Sequence, residues 1–176
     1  MHKQFENWIF LTGILLLLCS WSGSAAAAGT DHNPIDAVFS GRITDAMSTP
    51  ERNYVAEKYL AAWKAELDNV ADGLKNLYHF DADKARVDEY TTACTQAADA
   101  AYKLEWLNWA DRDAQPPQRK FGTGASGAAM LMKAKVYRQA TLNLVGIYQG
   151  QAGRWQGDAN SEYLFIYSGD GGKLPR

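Results

Sequence analysis

Histidine and cysteine are scarce: 3 His and 2 Cys in 176 residues. There is no Cys-x-x-Cys, no His-x-x-x-His and no Cys-x-x-Cys-His. Structural zinc and covalent haem both need such spacings, so neither is expected. No excess of basic charge exists either, with Lys+Arg 18 against Asp+Glu 20 and a net charge of −2. A dedicated nucleic-acid binder needs a basic surface, so that class is not expected. Proline is sparse at 5 residues, and long stretches carry none, which leaves room for long helices. What the chain does have is 47% hydrophobic residues with 22% charged ones, the composition of a folded domain rather than a disordered one.

Residues 1–28 read as a secretory signal. Lys3 stands in a short polar start, an apolar run extends from Trp8 to Cys19, and Ala26-Ala27-Ala28 supplies the small residues of a cleavage site before Gly29. The run is shorter than the ~20 apolar residues of a bilayer span, so no membrane span is expected after cleavage. Cys19 is read as part of the apolar run rather than a lipid anchor, because Leu18 stands where lipidation needs a small residue. The expectation is an exported chain, periplasmic or secreted. Removing Lys3 and Glu6 takes away one charge of each sign, so the net charge stays at −2. Cys94 is then left without an intrachain partner and reads as a small hydrophobe, with a bridge to another chain as the alternative.

Hydrophobic spacing predicts three long helices. Residues 29–48 form a lead-in in which Asn33-Pro34 opens a short helix carrying Ile35, Val38, Phe39 and Ile43. The first long helix starts at Thr49-Pro50, with Thr49 as the cap and Pro50 at the first helical position. Its seam is Ala56, Leu60, Trp63, Leu67, Val70, Leu74 and Leu77, with gaps alternating 4 and 3. The second opens at Asp81 with the seam Val87, Tyr90, Cys94, Ala97, Ala101, Leu104, and it ends before Pro116-Pro117. The third is capped by Ser126 and runs to about Gln149, with Met130, Ala134, Tyr137, Thr141, Leu144 and Tyr148 inward and Gly150 as its stop. Residues 151–176, with Arg154-Trp155 and Tyr163 to Tyr167, read as a strand-like tail. The expected fold is all-α, an elongated antiparallel bundle of three helices, or four with the lead-in, over residues 49–150.

Three features invite chemistry. Gly122-Thr-Gly124-Ala-Ser126-Gly127 fits G-x-G-x-x-G, but no strand precedes it, so a helix entry is expected rather than a dinucleotide site. No cofactor is implied. Carboxylates such as Asp81, Asp83, Asp88, Glu89, Asp111 and Asp113 are plentiful, and their spacing singles out no acid/base pair. Tyr102, Trp106 and Trp109 form an aromatic cluster, which reads either as core packed under the tail or as an anchor patch for a partner.

Trp63-Lys-Ala-Glu66-Leu67-Asp68-Asn69, Trp109-Ala-Asp-Arg112-Asp113 and Tyr137-Arg138-Gln-Ala-Thr141-Leu142 resemble, in order and spacing, the lysozyme inhibitor LprI-like family. The likeness spans Tyr54 to Tyr148. The sequence departs from the family pattern at Asp68, Glu105, Asn108 and Leu144. The resemblance implies an exported, helical, non-enzymatic protein of the bacterial cell envelope whose partner is a lysozyme or another envelope protein. Its implied partner-binding residues are Phe121, Gly122, Gly124 and Ser126 of the loop, with Arg112 and Asp113 beside them. Trp106 and Trp109 of the aromatic cluster join them as candidates if that cluster is an anchor patch rather than core. The alternatives are an accessory protein that docks another envelope protein, and a carboxylate-dependent cell-wall hydrolase.

Overall fold

The computed structural model describes residues 33–156, and the signal, Cys19 and the tail from residue 157 lie outside them. Four helices pack together: α1 (Pro34–Asp45), α2 (Thr49–Asn76), α3 (Asp81–Asn108) and α4 (Ala125–Gln156). Among the described residues there is no strand longer than a single bridge, so the fold is an all-α bundle.

The lead-in helix forms as its residues dictate. The Asn33 side chain accepts from the Asp36 N–H at 2.7 Å, and Pro34 takes the first helical position. The cap of α2 is Ser48, not Thr49, because the Ser48 hydroxyl accepts from the Glu51 N–H and leaves Thr49 inside the first turn. Asp81 and Ser126 are likewise not caps. Phe80 holds the cap position of α3 without a side-chain bond, and Ser126 lies inside α4. Nor does Gly150 stop the last helix, which runs on to Gln156 and takes in the backbone of Arg154 and Trp155. A glycine inside a helix costs only about 1 kcal/mol, less than the flanking helix formers supply.

Paired residues fix the directions. Lys75 meets Asp88 across α2 and α3 at 3.0 Å, and Lys133 meets Asp99 across α4 and α3 at 2.5 Å, so α3 runs antiparallel to both. Asn53 lies against Gly127 and Gly73 against Tyr148, so α2 and α4 run parallel. These two share the broadest interface, and α3 packs chiefly on α4. The α1 helix runs antiparallel to α2, with Asp36 at Tyr59 and Ala46 at Arg52.

The core is the one the first and third seams predict. Trp63, Leu67, Val70 and Leu74 of α2 meet Tyr137, Ala140 and Leu144 of α4, with Ile35 and Phe39 of α1 closing one side. Thr141 is fully buried and gives its hydroxyl hydrogen to the Tyr137 carbonyl at 2.8 Å. The seam predicted for α3 holds at Val87 and fails at Ala97 and Leu104, which are exposed, while Ala98 is buried. A straight helix drifts about 20° per heptad from a 3.5-residue repeat, which turns the later positions outward.

Candidate functional site

The loop from Trp109 to Gly124 joins α3 to α4 at the end of the bundle where α2 begins. It is pinned by its own backbone. The Asp111 N–H donates to the Lys120 carbonyl at 2.9 Å and the Gly122 N–H to the Trp109 carbonyl at 3.0 Å, around a bridge between Ala110 and Phe121. The Asp111 carboxylate accepts from the Asp113 N–H, and Arg119 Nε donates to the Ala114 carbonyl. Trp109 lies flat on this loop. A Cβ at Gly124 would stand 2.9 Å from its ring, and one at Gly122 3.0 Å from it. The first two glycines of G-x-G-x-x-G therefore serve an indole, not a phosphate. The third, Gly127, lies against Asn53 and lets α4 approach α2.

The structure brings together Trp106, Phe121, Trp109, Gly122 and Gly124 of the site residues expected from the sequence. Tyr102 stacks on Trp106 at 5.7 Å, and Trp106 meets Phe121 at 5.6 Å. Glu105 accepts from Trp109 Nε1 at 3.2 Å and from Asn108 Nδ2 at 2.9 Å, which fixes the indole. Trp109 is 42% exposed and Phe121 41%, so this edge of the cluster is not core. Arg112 and Asp113 are exposed in the loop that follows Trp109, and Ser126 is half-buried in the first turn of α4. A shallow cavity of about 320 Å³ opens beside Tyr102, Lys103 and Trp106.

A second constellation, absent from the sequence reading, centres on Asp36. Its carboxylate accepts from four side chains: Tyr59 Oη at 2.7 Å, Trp63 Nε1 at 3.3 Å, Asn33 Nδ2 at 2.7 Å and Arg138 Nε at 2.6 Å. Arg138 also lies over the Trp63 ring. Burial alone raises the Asp36 carboxyl, but the bonds from Asn33, Tyr59 and Arg138 and the Arg138 charge outweigh it and hold it below the ordinary value. Burial, with the bond to Asp36, pushes the Tyr59 hydroxyl well up. An acid held ionised near neutral pH, with its oxygens taken by four donors, is a clamp for α1 rather than a proton shuttle. The available signal was Asn33-Pro34-x-Asp36, a cap with an acid three residues on.

Asp36 also lines a cavity of about 480 Å³ with Ser40, Ile43, Tyr59, Leu131 and Lys135. Among the described residues it is the single carboxylate there, and a neighbouring cavity of about 200 Å³, lined by Thr49, Arg52, Asn53 and Trp109 among others, has none. Glycoside hydrolysis needs two carboxyls across one cleft, and the described residues lining these two cavities include one. Cys94 is half-buried on α3, and burial pushes its thiol up against a smaller opposite effect from Tyr90, which disfavours the thiolate. Among the described residues no cluster of three His, Cys, Asp or Glu is placed to hold a metal, and no helix is long and apolar enough to cross a membrane.

The residues that carry the family resemblance divide between interior and surface: Trp109, Arg112 and Asp113 of the second motif are exposed, and the buried ones belong to the first and third. Trp63, Glu66, Leu67 and Thr141 are buried, and Arg138 is half-buried in the Asp36 clamp. In comparisons with known proteins, no family model, no curated protein and no solved structure matches the chain.

Proposed function

We propose that the chain is an exported, non-enzymatic binding protein of the bacterial cell envelope, and that the loop end of the bundle is its partner surface. The observation that carries this reading is the half-exposed pair Trp109 and Phe121, held by a bridged loop. Large aromatic side chains fixed before binding lose little freedom on association, and such residues dominate interface energetics. Arg112 and Asp113 beside them supply polar contacts at the rim. The resemblance to the LprI-like family nominates a lysozyme as the partner, with another envelope protein as the alternative. A net charge of −2 gives a basic enzyme little long-range steering, so affinity rests on the contact surface itself.

The test is lysis of cell walls by lysozyme with the purified protein added. Stoichiometric amounts slow lysis, and Phe121→Ser with Arg112→Ala abolishes the effect while far-UV circular dichroism stays unchanged. No slowing at large excess retires the lysozyme as partner. A pull-down that returns a specific envelope protein, lost with the same two substitutions, then supports the docking reading.

A further inference from the structure

Past the Asp36 clamp, α1 and α4 stand apart. Among the described residues no Cα of α1 comes within 8 Å of one of α4, and the ion pair of Asp36 with Arg138 at 2.6 Å links their side chains. The gap is a groove floored by α2. Its two cavities, of about 480 Å³ and about 200 Å³, have Ile43 of α1 and Leu131 of α4 in common, so they adjoin. The larger is the size of a small-molecule site. From Lys135 to Gly124 the groove follows α4 for ~16 Å, at 1.5 Å per residue. Ile43, Leu131, Ala128 and the rings of Tyr59 and Trp109 give it apolar walls. Its charges are few, with a positive surplus. Asp36 is matched by Arg138, whereas Lys135 and Arg52, towards opposite ends, have no ion pair among the described residues.

We infer that this groove binds a single-chain amphiphile with a carboxylate head, of the length of dodecanoate. The head lies on the Lys135 ammonium beside the Ser40 hydroxyl, and the chain runs past Ile43 and Leu131 to end against Trp109. Lys135 takes the head because it is exposed without an ion pair, while Arg52 Nε is held by the Ala46 carbonyl at 3.0 Å. A neutral chain leaves that ammonium without a counter-charge, and an amine sets like charges together. The hydrocarbon gains by leaving water for the apolar walls. The protein's own tail does not reach. Leu131 stands ~37 Å along α4 from Gln156, and a fully extended chain carries Phe165, the middle of the apolar run 163–167, at most ~32 Å from Gln156. The inference stands independently of what the loop end binds.

Isothermal titration calorimetry of the purified protein with dodecanoate, kept below the concentration at which it forms micelles, tests this. The expected result is saturable binding of one molecule per chain. Lys135→Glu weakens it roughly tenfold or more by setting like charges together, with helical circular dichroism retained because Lys135 is exposed. Leu131→Glu, which sets a carboxylate where the two cavities adjoin, is the second variant, with the same expected loss. Lys103→Glu, the same charge change on α3, leaves binding as it is. Dodecylamine does not compete, and octanoate binds more weakly because it has less chain to bury. Absence of saturable binding overturns the proposal, and so does binding indifferent to both Lys135→Glu and Leu131→Glu. Dodecylamine binding as tightly as dodecanoate overturns the anionic head. A greater loss with Arg52→Gln than with Lys135→Gln overturns the stated orientation.

Discussion

Asp36 joins three helices through one carboxylate, so its removal is felt on all of them. Asp36→Asn takes away the charge that Arg138 Nε and the Tyr59 hydroxyl donate to, and the ion pair is mostly shielded, with side chains 23% and 26% exposed. The expected loss is about 2–3 kcal/mol, below the range for fully buried pairs, read from urea denaturation. Tyr59→Phe removes one bond to the other oxygen of the same carboxylate, and about 1 kcal/mol is expected. The folded-state value of Asp36 is lowered, so the clamp contributes fully above the unfolded carboxyl value near 4 and is lost as pH falls through the lower folded value. Denaturation midpoints of the wild type and Asp36→Asn should therefore converge in strong acid and diverge above pH 4. At the other end of the bundle, Gly124→Ala sets a methyl against the Trp109 ring. An overpacking cost of about 1–3 kcal/mol is expected, with a shift in tryptophan fluorescence. The Trp109–Gly124 contact was not legible in the sequence, where G-x-G-x-x-G showed only a pattern. A glycine's reason for being there is the neighbour the fold brings to it.

The α2 and α4 seams were legible because both helices bury one continuous stripe against each other, and Trp63, Leu67, Val70, Tyr137 and Leu144 all lie in the core. The α3 seam was half legible. Its alanines are apolar on several faces, so spacing alone did not tell which row meets α4 and which faces outward. The ends were the least legible: Ser48 and Thr49 are both good caps, and only the hydroxyl bond to Glu51 decides between them. Two glycines separate propensity from packing. A Cβ at Gly73 meets Tyr148 at 3.5 Å, an ordinary contact, so Gly73→Ala is expected to stabilise the bundle by up to about 1 kcal/mol. Gly127→Ala drives its methyl into Asn53, so the same substitution there is expected to lower the melting temperature. Thermal melts of the two variants against wild type check both signs.

The molecule as a whole divides its labour along its length. The Asp36 clamp fastens α1 across α2 and α4, the parallel α2–α4 pair supplies the dry interior, and the α3–α4 loop presents aromatic side chains at one end. The resemblance residues of α2 and α4 fall largely within the interior, while Trp109, Arg112 and Asp113 fall at the loop with the residues proposed to meet a partner. The helices and the seam residues of α2 and α4 were thus readable from spacing, whereas the loop residues were nominated only by the resemblance. The clamp was not readable, because Asp36 and Arg138 are 102 positions apart and only the fold unites them. The central claim is that partners meet this protein at its loop end. Amide hydrogen exchange with and without lysozyme, the proposed partner, tests that claim most directly. Slowed exchange confined to residues 109–126 is the predicted result, and slowing confined to α1 or the outer face of α3, with the loop unchanged, would contradict it.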